Sequence, residues 1–170
     1  MDAVYQQQRR NGRIMAVQGL YSYDLGEGRL EDILKLDWAE QSEEEALDTK
    51  DSDETSDEEE SSAVPFYTEE AASFARIIIS GTVNHLEEID EIIKKHLSKN
   101  WDFSRLNKIT LAILRISIFA MLYQKEIDPV IIINEAIFVW VLNCSTNSII
   151  AILIKMDHRT TYNGIFRVRV

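Results

Sequence analysis

The sequence predicts an all-α protein, an irregular helical bundle of about six to seven helices interrupted by a disordered acidic insertion. Three observations carry this. Apolar residues recur at helical spacing through most of the chain. Helix-stopping and helix-starting residues fall between those runs. One stretch, 40–62, is rich in Ser, Asp and Glu and nearly free of large apolar groups, so it cannot join a core. No convincing strand occurs before the extreme end, where Asn163-Gly164 lies between short alternating stretches in a hairpin-like pattern over 160–170.

In chain order, Val4 to Leu25 reads as the first helix, with Ile14, Val17, Leu20, Tyr21 and Leu25 on one apolar face and Gly26 and Gly28 ending it. Leu30 to Ala39 reads as a short second helix with Leu30, Ile33, Leu34 and Trp38 on one side. After the insertion, Val64-Pro65 stiffens the re-entry and Thr68 is placed to cap a helix that carries Glu69 and Glu70 in its first turn. That helix is expected to end near Ser80, with Gly81 as a break. The next runs from Thr82 to Leu97 on a stripe of Val83, Leu86, Ile89, Ile93 and Leu97. Ser104 is positioned to cap a helix from Arg105 to about Gln124. Its residues 109–123 are apolar almost all round, which predicts the most buried helix of the bundle. Asp128-Pro129 opens a further helix with proline in the first turn. Residues 143–147 read as a loop, and Ser148–Lys155 as a short final helix.

A chain of 170 residues suffices for one domain with a real core. The net charge of −11 is local: residues 40–60 hold twelve acids and one lysine, and the remainder is balanced with 17 basic and 17 acidic residues. Strong overall acidity would oppose binding to phosphates, but a neutral fold with local basic clusters does not. The insertion reads as solvated surface, or as an acidic arm that competes with a polyanion for a basic site. The N-terminus lacks the apolar core of a secretory signal. The longest apolar run, Ile109–Tyr123, is interrupted by Arg115 and is too short to span a membrane. The lone Cys144 excludes an internal disulfide, has no base beside it in sequence, and fits a cytoplasmic protein. His85, His96 and His158 show no metal-ligand spacing. No catalytic constellation, phosphate-cradling loop, metal or cofactor is expected, so the chain reads as a non-enzyme.

What chemistry the sequence offers is basic. Arg9 and Arg13 share a helix face with Arg10 beside them, and no carboxylate follows until Asp24. Guanidiniums grouped this way bind phosphates and stack on bases, which suits single-stranded RNA. They equally fit a solvated helix start paired with carboxylates elsewhere, although positive charge at a helix N-terminus opposes the dipole. Lys99, Arg105 and Lys108 form a second cluster, in which Arg105 either joins an RNA surface or packs its stem under Trp101. Arg115 must be paired if buried, and Glu135 is the expected partner.

An arginine cluster leading into Ala-Val-Gln-Gly-Leu-Tyr, the segment 96–123 with its Trp, Arg-Leu step and long apolar run around Leu-Arg, and DPVIIINEAI at 128–137 together resemble the NusB family of transcription antitermination factors, over roughly Arg9 to Ile137. The resemblance implies a helical RNA-binding domain over 1–155, with an atypical basic tail at 156–170. It implies a protein that pairs with ribosomal protein S10, binds the boxA element of nascent RNA and helps RNA polymerase read through terminators, notably in ribosomal RNA operons. It places Arg9, Arg10 and Arg13 on the RNA-binding helix. Tyr21 falls at the S10-facing side, and Thr110 stands where some members carry an interface glutamate. Asn11-Gly12 replaces the Arg-Ala of some members, which implies the loss of one phosphate contact. The resemblance leaves homodimer formation open. After Ile137 the chain departs from the family pattern. Two other readings remain: the helical RNA-binding domain of ribosomal RNA cytosine methyltransferases, disfavoured because no cofactor-binding domain follows, and a protein-only interaction bundle that uses its acidic segment.

Overall fold

The computed structural model of the protein describes residues 3–26, 28–40, 65–97 and 102–143, with side chains to 139. The expected insertion beyond residue 40, the short helix at 148–155, the hairpin-like end, Lys99, Trp101 and Cys144 lie outside them. Every regular element among the described residues is helical. None of these helices is long and apolar enough to cross a membrane. The chain divides into two compact units between Ile77 and Ile78.

The first unit is built on α1 (Ala3–Leu25), which stops where Gly26 adopts φ 73 and its amide bonds back to the Tyr23 carbonyl at 3.1 Å. Glycine enters this left-handed region without the steric cost of a Cβ. Met15, Ala16 and Leu20 of α1 are fully buried. The predicted helix over Leu30–Ala39 is broken in two: α2 (Leu30–Ile33) and a second helical stretch at 37–40 flank Leu36, which sits at φ 61. A left-handed conformation costs a non-glycine residue roughly 1–2 kcal/mol. The complete burial of the Leu36 side chain compensates. The break frees carbonyls, and Arg76 takes them: its Nε donates to the Leu34 oxygen at 2.9 Å and its Nη2 to the Lys35 oxygen at 3.4 Å. Its Nη1 pairs with Glu69 at 2.7 Å. Arg76 belongs to α3 (Glu69–Asn84), whose first half lies in this unit and whose second half lies in the other. Thr68 caps α3 as expected, its Oγ1 accepting from the Ala71 amide at 3.2 Å.

In the second unit Gly81 does not break the helix. A Cβ there would lie 2.2 Å from Cζ of Phe119, so the glycine is a seat for that ring. The break comes at His85 (φ −114, ψ 19), and α4 (Leu86–His96) follows with Ile89 and Ile93 fully buried. A 3-10 turn at Phe103–Arg105 is capped by Asp102, which accepts from the Ser104 amide at 3.1 Å. The long apolar helix α5 (Lys108–Tyr123) begins later than predicted, because Asn107 rather than Ser104 is its cap, accepting from the Ile109 amide at 2.9 Å. Residues Thr110–Met121 are all buried, as the all-round apolar pattern predicted. α5 packs against both α4 and α6 (Pro129–Asn143). Asp128 caps α6 through the Val130 amide at 2.8 Å, with Pro129 in the first helical position. The helix continues through the apolar stretch that follows Ile137.

Inside α5, Arg115 is 5 % exposed and makes a two-pronged pair with Asp90 of α4, Nε to Oδ1 and Nη2 to Oδ2, each 2.8 Å. Glu135, the partner expected from sequence, is half-buried on α6, and Asp90 is one that the sequence does not single out. The carboxylate found here comes from the neighbouring helix and matches the planar guanidinium fork, which is the geometry a buried cation requires.

Candidate nucleic-acid interface

The arginine-bearing end of α1 is shaped by what packs beneath it. Asn11 and Gly12, read from sequence as a lost phosphate contact, face inward. Asn11 is 3 % exposed, donates to the Pro65 carbonyl at 3.0 Å and accepts from Gln7 at 2.9 Å. Gly12 lies so close to the start of α3 that a Cβ would fall 2.7 Å from the Ala71 carbonyl oxygen and 2.9 Å from Cδ1 of Phe74. This approach brings the buried Phe74 ring under the arginines.

Arg9 lies against two rings. Its guanidinium carbon lies 4.1 Å from the centroid of Phe74 and 4.9 Å from that of Tyr5, and its Nε donates to the Tyr5 hydroxyl at 2.9 Å. Each cation–ring contact contributes about 0.5–1 kcal/mol at exposed sites and more when desolvated. Among the described residues no carboxylate pairs with Arg9. A guanidinium fixed in orientation, charged and unneutralised is suited to an incoming phosphate, because little rotamer freedom remains to be lost on binding.

The other arginines are placed differently. Arg13 is only 9 % exposed; its guanidinium lies 5.4 Å from the Phe74 centroid and Nη1 donates to the Arg9 carbonyl at 3.3 Å. It therefore braces the turn that carries Arg9 and offers little surface itself. Arg10 is half-buried, as is Tyr21 near the far end of α1.

In the second unit Arg105 and Lys108 are exposed, and among the described residues neither pairs with a carboxylate. The last turn of α4 adds Lys94 and Lys95, which the sequence reading passed over. Lys94 Nζ lies 5.3 Å from the Phe103 centroid, beside the turn that bears Arg105. Its hydrogen bond to Glu91, 2.8 Å long, raises its pKa and keeps it charged. Thr110 is 4 % exposed and presents almost no side-chain surface to a partner. Among the described residues no cluster of His, Cys, Asp and Glu could hold a metal ion.

Comparison with known proteins bears on what such basic surfaces serve. A family model described as the NusB family matches residues 10–141. The transcription antitermination protein NusB of Treponema denticola is 34 % identical over 129 residues, 76 % of this chain and 78 % of that protein. The fold is similar to T. maritima NusB, with TM-score 0.62 and 25 % identity over 88 % of each chain. It is also similar to a chain in the crystal structure of antitermination factors NusB and NusE in complex with dsRNA, with TM-score 0.60 and 20 % identity over 89 % of this chain and 94 % of that one.

Proposed function

The chain belongs to the NusB family, and from that membership we propose that it is an RNA-binding transcription antitermination factor that acts with ribosomal protein S10 on boxA RNA within the RNA polymerase antitermination complex. The observation that carries the RNA-binding part is Arg9, ring-clamped and unneutralised among the described residues. Arg10 stands beside it and Arg13 supports it from beneath. Arg105, Lys108 and the α4 lysines supply further cations for a polyanion, with Lys99 of the sequence-predicted cluster assigned to the same role. The relatives are transcription antitermination proteins, which favours this reading over a methyltransferase domain or a protein-only bundle. Tyr21 is assigned to the S10 side. The protein acts by assembling RNA and protein, and no covalent chemistry is assigned to it.

The test is RNA affinity as a function of salt. Each phosphate contact on a single strand contributes about 0.7 to the slope of log affinity against log salt. Replacing Arg9 by alanine is expected to lower the slope by about that amount for boxA RNA. Replacing Arg9, Arg10 and Arg13 together without loss of affinity would refute the site.

A further inference from the structure

The clamp around Arg9 has an outer layer with no described role. Tyr5 stands one helical turn before Arg9, 44 % exposed, with the Arg9 guanidinium carbon 4.9 Å from its ring centroid and 4.1 Å from that of Phe74. Phe74 is 4 % exposed, so its ring is closed to solvent while that of Tyr5 is open to it. The ring is fixed twice, by the guanidinium beside it and by the hydrogen bond that its hydroxyl accepts from Arg9 Nε at 2.9 Å.

From this arrangement we propose that Tyr5 is a base-stacking residue: its outer face receives an unpaired RNA base, while Arg9 engages an adjacent phosphate. The inference rests on the RNA-binding reading above and adds a second mode of contact to it. Three physical points support it. An exposed aromatic ring that is already immobilised loses little entropy when a base lies on it. A guanidinium on one face draws electron density from the ring and favours a π-system on the other. A neighbouring cation without a carboxylate partner among the described residues selects a ligand that carries both bases and phosphates over an uncharged peptide. Sequence reading missed Tyr5 because nothing local distinguishes it from any exposed tyrosine in a helix.

The experiment uses the full chain and a short single-stranded boxA RNA in which 2-aminopurine replaces each purine in turn. Base–aromatic stacking contributes about 1–3 kcal/mol per base, so Tyr5→Ala is expected to weaken binding by roughly 5- to 150-fold. Tyr5→Phe is expected to retain most of the affinity. In the wild type one 2-aminopurine position should be quenched on binding, and Tyr5→Ala should abolish that quenching. Tyr5→Ala should leave the salt slope unchanged, whereas Arg9→Ala lowers it.

Stacking is overturned if Tyr5→Ala binds as wild type. It is also overturned if Tyr5→Ala lowers the salt slope as Arg9→Ala does without altering any 2-aminopurine signal, since Tyr5 would then act only by positioning Arg9. A wild-type chain that binds no RNA would overturn the RNA-binding reading itself, a result distinct from either. Circular dichroism of each variant guards against unfolding, which is not expected for an exposed residue in the first turns of a helix.

Discussion

Replacing Gly12 by alanine sets two effects of opposite sign against each other. Glycine in a helix interior is about 1 kcal/mol less favourable than alanine, so propensity alone predicts that Gly12→Ala stabilises the protein. The structure predicts the reverse. The new methyl would lie 2.7 Å from the Ala71 carbonyl oxygen and 2.9 Å from Phe74 Cδ1. The Phe74 ring can turn, but the carbonyl belongs to the backbone of α3 and moves only with the helix. Overpacking of this kind costs typically 1–3 kcal/mol, which cancels or exceeds the propensity gain. The net expectation is a loss of up to about 2 kcal/mol. Urea denaturation reads it as a lower midpoint at unchanged slope. Because Phe74 is the inner wall of the Arg9 clamp, RNA affinity should fall as well. A Gly12→Ala protein that is more stable by about 1 kcal/mol and binds RNA normally would show that the helices are not in the contact described.

Other outcomes follow from the same geometry. Asp90→Ala leaves the buried Arg115 without its two-pronged partner and should cost about 3–5 kcal/mol in chemical denaturation; a cost under about 1 kcal/mol, the range of surface pairs, would contradict the burial. Tyr123 donates to Glu88 at 2.7 Å, which raises the phenol above its ordinary 10.0; ultraviolet titration should show one tyrosine ionising late, and Glu88→Gln should bring it down. With the folded value raised, that contact supports the fold below pH 10.0 and is lost as pH rises through the folded value. Glu69 shows the opposite case: its hydrogen bond from Arg76, then the charge of Arg76, hold its carboxyl below the ordinary 4.5. Its contribution is present above pH 4.5 and disappears as pH falls through the lowered value. Glu69→Gln should flatten the acid limb of the stability curve.

Much of the helical frame was legible because its signals are local. Gly26 closing α1, Thr68 opening α3 and Asp128-Pro129 opening α6 each act through their own backbone. The apolar sweep of α5 needed no partner to be recognised as buried. The readings that failed depended on residues distant in sequence. Gly81 looks like a helix stop, and only Phe119 reveals it as a seat for a ring. Leu30–Ala39 has helical spacing, but the burial of Leu36 and the carbonyl bonds from Arg76 hold it broken. The same is true of the site. Arginine spacing groups Arg9, Arg10 and Arg13 at one end of α1 but treats the three alike. Phe74 and the inward-facing Asn11 and Gly12 divide them into one presented cation, Arg9, and one brace, Arg13. Asp90 is not singled out in the sequence because helix register alone does not say which carboxylates of neighbouring helices reach Arg115.

Joint recognition of boxA RNA by this chain and S10, as proposed, is read from the affinity of the full chain for boxA RNA and for a scrambled strand of equal composition, each with and without S10. BoxA is expected to bind more tightly than the scrambled strand, and S10 to tighten boxA binding further. Equal affinity for the two strands, unaltered by S10, would contradict it.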